Sequence, residues 1–406
     1  MPLPRIAVVS PFIDKRHGTE RNVAELIRRL AGEYEIHVYS QRVEDVDLRR
    51  ITWHRIPALP GPHIFAYLWW FAANHLWRWS DRWLRGLAPD LVYSPGINCL
   101  DAGAITVHVV FARLLENLRE ELRFSRHPAK AWPRVLHRRL YYRLIRFLEG
   151  FVYRRPNQFL GAVSAKVAND LDHYYGRREK VRVVYTGLDL SWFNPGCREA
   201  LRSEARDKLG LAENNFALLL IGNGWKNKGL PCLLEAAGSL EDPRLVLLVA
   251  GEDDTSPYLG TIQHHHMAGR VHFLPPRPDV ESFYAAADAY VGPSLEDSFG
   301  QPPAEAMACG LPVIVSRNAG CAEIISHGQD GLILEDPLDV DALSVWIRRL
   351  MDDPELRRSL AQNAVRTAQK LSWEINAAEM KALFDQVLRS VEDHRAARGE
   401  SSFEKK

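Results

Sequence analysis

Short apolar runs alternate with amphipathic, helix-period stretches along most of the chain. The run RIAVVS (5–10) is followed by a loop that holds Gly18, then by the helix-period segment ERNVAELIRRLAG and by a second run, EIHVYS (35–40). Such alternation is typical of a parallel, doubly wound α/β sheet. Four more predicted strands continue it: LVYS (91–94), AITVHV (104–109), FLGAVS (159–164) and VRVVY (181–185).

The same rhythm restarts after a Pro/Gly connection near residues 193–200. Five further strands are predicted, each followed by a helical pattern: ALLLIGN (217–223), LVLLVAGE (245–252), VHFL (271–274), AYVGPS (289–294) and PVIVS (312–316). From about residue 339 the pattern is purely helical. We therefore predict two Rossmann-like parallel-sheet domains, 1–195 and 196–372, a helix at 373–395 that returns to the first domain, and a polar tail at 396–406.

The composition is that of a globular protein. Of the 406 residues, 46% are hydrophobic and 25% are charged, and a chain of this length is expected to form two domains of about 200 residues. The longest apolar stretch, IFAYLWWFAA (64–73), is half of what a bilayer span requires. The N-terminus is not typical of a signal peptide, and the five cysteines form no CxxC pair. These features favour a cytoplasmic protein without structural zinc.

The two halves carry opposite net charges. Residues 1–195 contain 30 Lys and Arg against 19 Asp and Glu, whereas the remainder contains 22 against 32. Opposite charges on two predicted domains indicate that they face different partners. Much of the positive charge lies in an Arg-rich stretch that is predicted to be helical over 112–155.

The stretch EDSFGQPPAEAMACGLPVIVS (296–316) places three carboxylates and much backbone constraint between two predicted strands. Pro302 and Pro303 suit the first turn of a helix, and Gly300 lets the main chain approach a ligand closely. The amides of a helix start favour a phosphate, while nearby carboxylates are good acceptors for sugar hydroxyls. We therefore predict a nucleotide-sugar cradle that uses Asp297 and Glu305; an acidic helix cap is the alternative.

This stretch resembles the E-x7-E signature of the retaining glycosyltransferases of family 4 (group 1), which have the GT-B fold. Aligned on Phe299 and Gly300, Asp297 stands at the first glutamate position and Glu305 at the second. The resemblance implies that Asp297 binds the donor sugar and Glu305 the nucleotide ribose, with Ser298, Phe299 and Gly300 in the donor loop. Because aspartate is one methylene shorter than glutamate, the identity of the sugar stays open.

Other segments resemble the same family in the same order. RHGTERNVAEL is similar to the family's GGxER loop, with His17 at the first glycine and Gly18 at the second, and GLDLSWFNP (187–195) resembles its interdomain motif. RVHFLPPRPDVESFYAAADAYVGPS and NAGCAEIISHGQDGLIL follow the family almost continuously. The resemblance implies that the first domain binds the acceptor and the second the nucleotide sugar.

A donor diphosphate has to be neutralised by cations, which the GT-B enzymes commonly supply from side chains where other folds use a metal. Lys228, in GNGWKNKGLPCLLEA (222–236), matches the family lysine, but the usual arginine position falls on Asn223 and Lys226 is only a candidate substitute. His108 stands where the family often carries a histidine that orients the donor sugar. By this resemblance His108, Lys228 and Asp297 are the predicted catalytic residues, and no cofactor or metal is expected. Three clusters that imitate metal ligands are predicted to be ordinary surface features: HHH (264–266), EDD (252–254) and DLD (170–172).

Tryptophan and arginine are interleaved in the first half. The residues concerned are Trp69, Trp70, Trp77, Trp79 and Trp83 with Arg78, Arg82 and Arg85, followed by Arg138, Arg139 and Arg143. This composition is typical of an interfacial surface that faces anionic lipid headgroups. An anionic acceptor such as a phosphorylated glycolipid would explain it equally well, as would buried tryptophans with a solvated arginine face. Nucleic acid is not expected, since no binding motif accompanies the charge.

The sequence thus predicts a retaining, hexosyltransferase-like enzyme that moves a sugar from a nucleotide diphosphate to a glycan or glycolipid of the polysaccharide or lipopolysaccharide type. No compelling nucleophile is present, so front-face attack is expected, with stabilisation of the leaving phosphate as the main catalytic effect. The alternatives are a sugar-nucleotide epimerase of the same fold and a catalytically weak binding subunit, to which Asp297 and Asn223 lend weight. The expected location is cytoplasmic, with the inner face of the membrane as an open possibility.

Overall fold

The chain forms two compact units. The computed structural model describes residues 3–15, 18–126 and 128–397. The first unit comprises the chain up to Tyr185 together with the residues from Trp373 onward, and the second comprises Thr186–Ser372. The first division lies before the predicted boundary at 195, because the last strand of the first sheet ends at Val183.

The first unit is built on a seven-stranded sheet in which every pairing is parallel, with strand order 5-3-1-6-7-8-9. A separate short pair, β2 with β4, lies beside it. The strands are β1 (Arg5–Val9), β2 (Phe12–Ile13), β3 (Glu35–Ser40), β4 (Arg42–Val43), β5 (Thr52–Arg55), β6 (Leu91–Pro95), β7 (Ala104–Val107), β8 (Phe159–Ala162) and β9 (Val181–Val183). Five helices connect them: α1 (Gly18–Leu30), α2 (His63–Arg85), α3 (Phe111–Asn117), α4 (Trp132–Val152) and α5 (Ala165–Tyr175).

The second unit is built on a six-stranded parallel sheet with strand order 12-11-10-13-14-15. Its strands are β10 (Phe216–Ile221), β11 (Leu245–Ala250), β12 (Val271–Leu274), β13 (Ala289–Gly292), β14 (Val313–Ser316) and β15 (Leu332–Leu334). Its helices are α6 (Pro195–Lys208), α7 (Leu230–Ser239), α8 (Leu259–His264), α9 (Glu281–Ala286), α10 (Gln301–Ala308), α11 (Val340–Asp352) and α12 (Pro354–Ala368).

The closing helix, α13 (Trp373–Ala397), belongs to the core of the first unit. Its buried Met380, Leu383 and Phe384 join the cluster formed by β1, β3, β6 and α1, and the ring of Phe384 lies 5.2 Å from that of Tyr93. The returning helix of the sequence analysis is therefore an integral layer of the first sheet. Both sheets are covered on two faces, as their nearly continuous apolar strands require.

The Arg-rich stretch that was expected to be helical over 112–155 is not one helix. α3 ends at Asn117, turns and two short 3-10 segments follow, and α4 begins only at Trp132. Pro128 keeps a helix from running through the turn that precedes it, because proline lacks the amide that a helix interior uses and clashes with the carbonyl four residues earlier. The end of α3 lies eleven positions before Pro128 and is not explained by it. Pro133 is accommodated in the first turn of α4, where proline is tolerated.

Candidate functional site

The second sheet has its topological switch point between the neighbouring strands β10 and β13. Ligands of doubly wound sheets bind in the crevice at such a point, beyond the carboxyl ends of the strands. Two of the predicted segments lie there: residues 222–229, between β10 and α7, and residues 293–300, between β13 and α10. The fold of this unit therefore brings together residues that are 69 positions apart in the sequence.

Gly229 allows these two segments to touch. It has a φ of 82°, and a Cβ built on it would lie 2.0 Å from the carbonyl oxygen of Pro293. Next to this contact the amide of Leu295 donates to the carbonyl oxygen of Asn227, whose side-chain amide donates to the carbonyl oxygen of Glu296, both at 2.7 Å. A larger residue at position 229 would push the segments apart, so this glycine sets the position of the neighbouring Lys228.

Lys228 and Asp297 form an ion pair across the crevice, between Nζ and Oδ2. Each side chain is 19% exposed, so the pair is shielded but reachable. The main chain of Asp297 is held on its other side, since its amide donates to Asn318 at 3.2 Å and its carbonyl oxygen accepts from Gly320 at 3.1 Å. A cation beside a hydroxyl acceptor matches a sugar phosphate, in which an anionic group adjoins neutral hydroxyls.

The N-terminus of α10 opens onto the same crevice. Gly300 precedes the helix with a φ of 88°, a conformation that favours glycine, and prolines occupy its first turn. The loop before it is fixed, because the buried Phe299 accepts a hydrogen bond from the amide of Cys321; the half-buried Ser298 lies between Phe299 and Asp297. The first amides of a helix point outward and favour an anion, which suits a diphosphate.

Glu305 lies in α10 and is only 6% exposed. The hydroxyl of Tyr284 in α9 donates to its Oε2 at 2.7 Å. Burial, followed by the charge of Glu305, raises the pKa of Tyr284 well above its usual value, so the phenol remains a donor. The bond orients the carboxylate that is predicted to bind the ribose.

Asn223 and Lys226 lie on the exposed part of the turn between β10 and α7. The side-chain oxygen of Asn223 accepts from the amide of Glu252 at 3.0 Å, and Asp253 accepts from the amide of Trp225 at 2.7 Å. The turn is therefore tied to the segment after β11. Asn223 contributes no charge, and Lys226 is the exposed cation nearest to it in sequence.

The remaining predicted site residues lie in the first unit. His108 directly follows β7, and its Nε2 is buried without a hydrogen-bond partner among the described residues. Burial lowers the pKa of His108 to about 4, so the ring is neutral at pH 7. Gly18 is the first residue of α1, where its carbonyl oxygen accepts from the side chain of Asn22 at 3.2 Å. His17 lies outside the described residues.

The tryptophans of α2 divide between core and surface. Trp70 is buried and donates to the side chain of Asn98 at 3.2 Å, whereas Trp79 and Trp83 are 62% and 71% exposed. Trp69 and Trp77 are half-buried. The reading of core tryptophans therefore holds for Trp70, and the interfacial reading stays a prediction for the exposed Trp79 and Trp83.

The three arginines predicted for an acceptor or membrane surface all lie on α4. The guanidinium of Arg138 lies over the ring of Tyr142 at 5.8 Å and that of Arg139 over Phe124 at 4.9 Å, while Arg143 is exposed. The neighbouring helices α2 and α4 contact each other through His63 and Tyr141, whose rings are 4.6 Å apart. No exposed position of either helix carries Asp or Glu.

The clusters that imitate metal ligands are engaged elsewhere. His265 bonds to Glu235 at 2.7 Å, Asp170 pairs with Arg113 at 2.8 Å, and Asp254 accepts from the amide of Ser256 at 3.0 Å. Within residues 3–15, 18–126 and 128–397, no three His, Cys, Asp or Glu side chains are grouped so that they could hold a metal ion. In the same part of the chain no helix has the length and apolar character needed to cross a bilayer.

Sequence reasoning missed Tyr284 and the pairing of Lys228 with Asp297. Tyr284 lies 21 positions before Glu305 in a short, largely buried helix, where nothing distinguishes it from its apolar neighbours. The ion pair joins two loops that are 69 positions apart. These loops meet because β10 and β13 are neighbours in the sheet, and strand order cannot be predicted from any local sequence pattern.

Two family models match the chain. The model described as "Glycosyl transferases group 1" matches residues 202–367, and the model described as "Glycosyltransferase Family 4" matches residues 16–192. The first covers every predicted site residue of the second unit, and the second covers Gly18, His108 and the arginines of α4.

Individual proteins resemble the chain in sequence or in structure. A D-inositol 3-phosphate glycosyltransferase of Thermomonospora curvata is 35% identical over 236 residues, which are 53% of this chain and 54% of that protein. The chain thus spans about half the length of the curated relatives that it matches. The crystal structure of WaaG, a glycosyltransferase involved in lipopolysaccharide biosynthesis, has a TM-score of 0.73 at 20% identity and covers 93% of this chain and 98% of that one. Anabaena Alr3699/HepE in complex with UDP-glucose has a TM-score of 0.70 at 19% identity, covering 94% and 99%.

Proposed function

Because the chain belongs to family 4 (group 1) of the glycosyltransferases and has the GT-B fold, we propose that it transfers a sugar from a nucleotide diphosphate to a glycan or glycolipid. One observation carries this proposal. At the switch point of the second sheet, the Lys228–Asp297 pair adjoins the N-terminus of α10 and the buried Glu305. Cation, amides and two carboxylates are the groups that a nucleotide sugar requires.

In this proposal each group binds a different part of the donor. Lys228 and the first amides of α10 neutralise the diphosphate, Asp297 accepts a hydroxyl of the sugar, and Glu305 accepts a hydroxyl of the ribose. As the glycosidic bond breaks, negative charge grows on the leaving phosphate, and a cation held in place before the reaction stabilises that charge without reorganising. The chain's own residues thereby take the part of a metal, so the proposed reaction is metal-independent.

We propose retention of the anomeric configuration through front-face attack, in which the leaving phosphate accepts the proton of the acceptor hydroxyl. His108 keeps the role that the family resemblance gives it, which is to orient a hydroxyl of the sugar. Since its ring is neutral at pH 7, it acts as a hydrogen-bonding group and its side chain adds no positive charge beside a developing oxocarbenium ion. A neutral imidazole suits the reaction, because a second positive charge would oppose the one that develops on the sugar.

The acceptor is proposed to bind the first unit. Relatives are named for D-inositol 3-phosphate, and a structural neighbour is named for lipopolysaccharide biosynthesis. Both names are compatible with an acceptor that carries anionic groups, and the net positive charge of the first half supports this class. The complex of Alr3699/HepE with UDP-glucose makes UDP-glucose the first donor to try.

We further propose that the first unit attaches peripherally to an anionic membrane, at the cytoplasmic face. Exposed apolar residues recur at helical spacing on both α2 and α4, and they are Phe65, Leu68, Leu76, Trp79 and Trp83 on α2 and Trp132, Leu136, Leu140, Phe147 and Phe151 on α4. Arginines flank them and no carboxylate is exposed on either helix. Aromatic and aliphatic side chains with flanking arginines match the boundary between anionic headgroups and acyl chains.

The donor can be identified by thermal shift with a panel of nucleotide sugars and free nucleoside diphosphates. We expect one base to raise the melting temperature and the Lys228→Ala variant to lose most of that effect. Incubation of the donor alone, followed by NMR, tests for epimerisation: an isomerised sugar would assign the chain to the epimerases. A donor that binds but is never transferred or hydrolysed would favour the binding subunit.

A further inference from the structure

An arginine-lined groove lies between α3 and α4 in the first unit. It consists of two adjoining cavities, with volumes of about 610 and 540 Å³, which share Arg143 and Arg146. The arginines that line it are Arg119, Arg123, Arg139, Arg143, Arg146 and Arg154. Such a density of one charge around a concave surface raises the local concentration of anions.

Three of these arginines are not neutralised. The guanidinium groups of Arg119, Arg143 and Arg146 make no ion pair and no hydrogen bond with any residue that the structure describes, whereas Arg123 pairs with Glu120 at 2.9 Å. The carboxylate that lines the groove, Glu116, is already engaged: it accepts the hydroxyl of Tyr174 and lies 3.7 Å from Arg113. The groove therefore holds an excess of positive charge that is not balanced within the chain.

The spacing of the arginines fits a polyanion. Arg139, Arg143 and Arg146 follow each other at four and three positions, so they share one face of α4 and span roughly 10 Å along its axis. The two ends are ordered by stacking, with Arg139 over Phe124 at 4.9 Å and Arg154 over Tyr175 at 5.6 Å. Guanidinium groups bind phosphate oxygens in bidentate geometry. A dianionic phosphate also neutralises several positive charges better than a single carboxylate does.

The groove is also partly apolar. Phe147 and Phe151 line the second cavity and are 71% and 50% exposed. A bare inorganic anion would leave these rings in water, whereas an organic phosphate would cover them. We propose that the groove binds the phosphate groups of the acceptor, as a phosphomonoester or diphosphate attached to an organic body. This inference rests on the proposed glycosyl transfer, and it adds the chemical class of the acceptor and the residues that hold it.

The test uses the full chain in a Lys228→Ala background, so that the proposed donor site does not contribute. Pyrophosphate and D-inositol 3-phosphate are titrated by calorimetry as soluble probes. Vesicles with phosphatidic acid are compared with phosphatidylglycerol vesicles of matched surface charge. The groove variant is Arg119→Gln, Arg143→Gln and Arg146→Gln; the matched control, which removes three exposed arginines of the first unit outside α2 and α4, is Arg49→Gln, Arg50→Gln and Arg389→Gln.

We expect the groove variant to weaken probe binding at least tenfold and the control less than threefold. A preference for phosphatidic acid that the groove variant loses would identify a lipid phosphate, while binding of soluble probes without that preference would identify a free sugar phosphate. Equal losses in the two triple variants, or no probe binding in the Lys228→Ala background, would overturn the groove. Binding of the nucleotide sugar is measured separately, in the groove variant and in the wild type. If neither protein binds a nucleotide sugar, the proposed transfer is refuted, and the result for the groove is unaffected.

Discussion

At the scale of single residues, the account depends on the ion pair between Lys228 and Asp297. The pair joins two loops that are 69 positions apart, so the crevice assembles a charge pattern that the sequence suggests only in pieces. Aspartate at position 297 reaches Lys228 across the crevice. We therefore propose that aspartate in place of the family's glutamate still serves the site, and that the change bears on the choice of sugar.

The first prediction concerns Lys228→Ala. Removing a preorganised charge at a developing anion typically costs about 100- to 1,000-fold in rate, so turnover of the donor should fall by roughly this factor. The free energy of unfolding should fall by about 1–3 kcal/mol, because the partly buried carboxylate of Asp297 loses its cationic partner. Lys208→Ala, which breaks the exposed pair with Glu204 in the same unit, is the control. A Lys228→Ala rate close to that of the wild type would remove Lys228 from the mechanism.

The second prediction separates Glu305 from its partner. Glu305→Gln should weaken binding of the free nucleoside diphosphate by about 1.5–3 kcal/mol, because a ribose hydroxyl loses a charged acceptor. Tyr284→Phe removes only the hydrogen bond that orients the carboxylate and should cost less, about 0.5–1.5 kcal/mol. Calorimetric titration measures both. Unchanged affinity in Glu305→Gln would exclude a ribose contact.

The sequence predicts the chemistry of this site better than its geometry. Asp297, Glu305 and Lys228 were predicted because they stand in segments that resemble family motifs. Tyr284 has no such mark, and its hydrogen bond to Glu305 follows from the fold. Gly229 was not predicted to matter, because its contact with Pro293 is visible only in three dimensions.

At the scale of elements, α3 is capped by a buried carboxylate that belongs to α4. The amide of Phe111 donates to Glu149 at 2.9 Å and the hydroxyl of Tyr175 donates to its second oxygen at 2.6 Å. Burial raises the pKa of Glu149 to about 7, although these hydrogen bonds oppose the shift. The cap thus joins three helices of the first unit next to the arginine groove.

The third prediction follows from this carboxyl group. Its pKa is 4.5 in an ordinary environment and about 7 in the folded protein, so the folded state binds more protons between these values. The free energy of unfolding should therefore fall as pH rises from 4.5 through 7, by on the order of 3 kcal/mol. Glu149→Gln should lose this part of the pH dependence, and the exposed Glu392→Gln should keep it. Urea unfolding at pH 5 and pH 8 provides the comparison, and parallel pH profiles for all three proteins would contradict the assignment.

Some strands were predicted with their observed bounds and others were missed. β3, which lies between β1 and β5, and the apolar edge strand β12 both have the predicted bounds. β5, which reads TWHR, is an edge strand with polar positions and was missed. In the Arg-rich stretch the error was the opposite, because one continuous helix was predicted where two are present. The arginines keep a helical spacing across Pro128, so their spacing alone does not reveal the break.

At the scale of the whole molecule, the structure shows where part of the positive charge of the first half lies. A group of the first unit's basic residues lies on α2, on α4 and in the segment between α3 and α4, beside exposed tryptophan, leucine and phenylalanine. The crevice with Lys228 and Asp297 belongs to the second unit. The proposed membrane attachment and the proposed donor chemistry therefore use different residues, and mutations can test them separately.

The fourth prediction uses this separation. Trp79→Ser with Trp83→Ser should weaken partitioning to anionic vesicles by about 2–4 kcal/mol, since two large apolar side chains lose their burial. Arg138→Ser, Arg139→Ser and Arg143→Ser should weaken it by a few kcal/mol at low salt and less at high salt, at about 1 kcal/mol per charge. Trp192→Ser with Leu338→Ser, exposed residues of the second unit, is the control. Sedimentation with anionic and neutral vesicles measures all of these, and a wild type that ignores anionic vesicles at low salt would refute membrane attachment.

The most direct test of the central claim is the fate of the anomeric carbon of the donor. The nucleotide sugar selected by thermal shift is incubated with the wild type and with Asp297→Asn, and NMR follows the first sugar released to water or to an acceptor. The account predicts release of the nucleoside diphosphate, a product that keeps the donor's anomeric configuration, and a strongly reduced rate in the variant. An inverted product would contradict the retaining mechanism. An isomerised donor, or no turnover of any nucleotide sugar, would contradict glycosyl transfer itself.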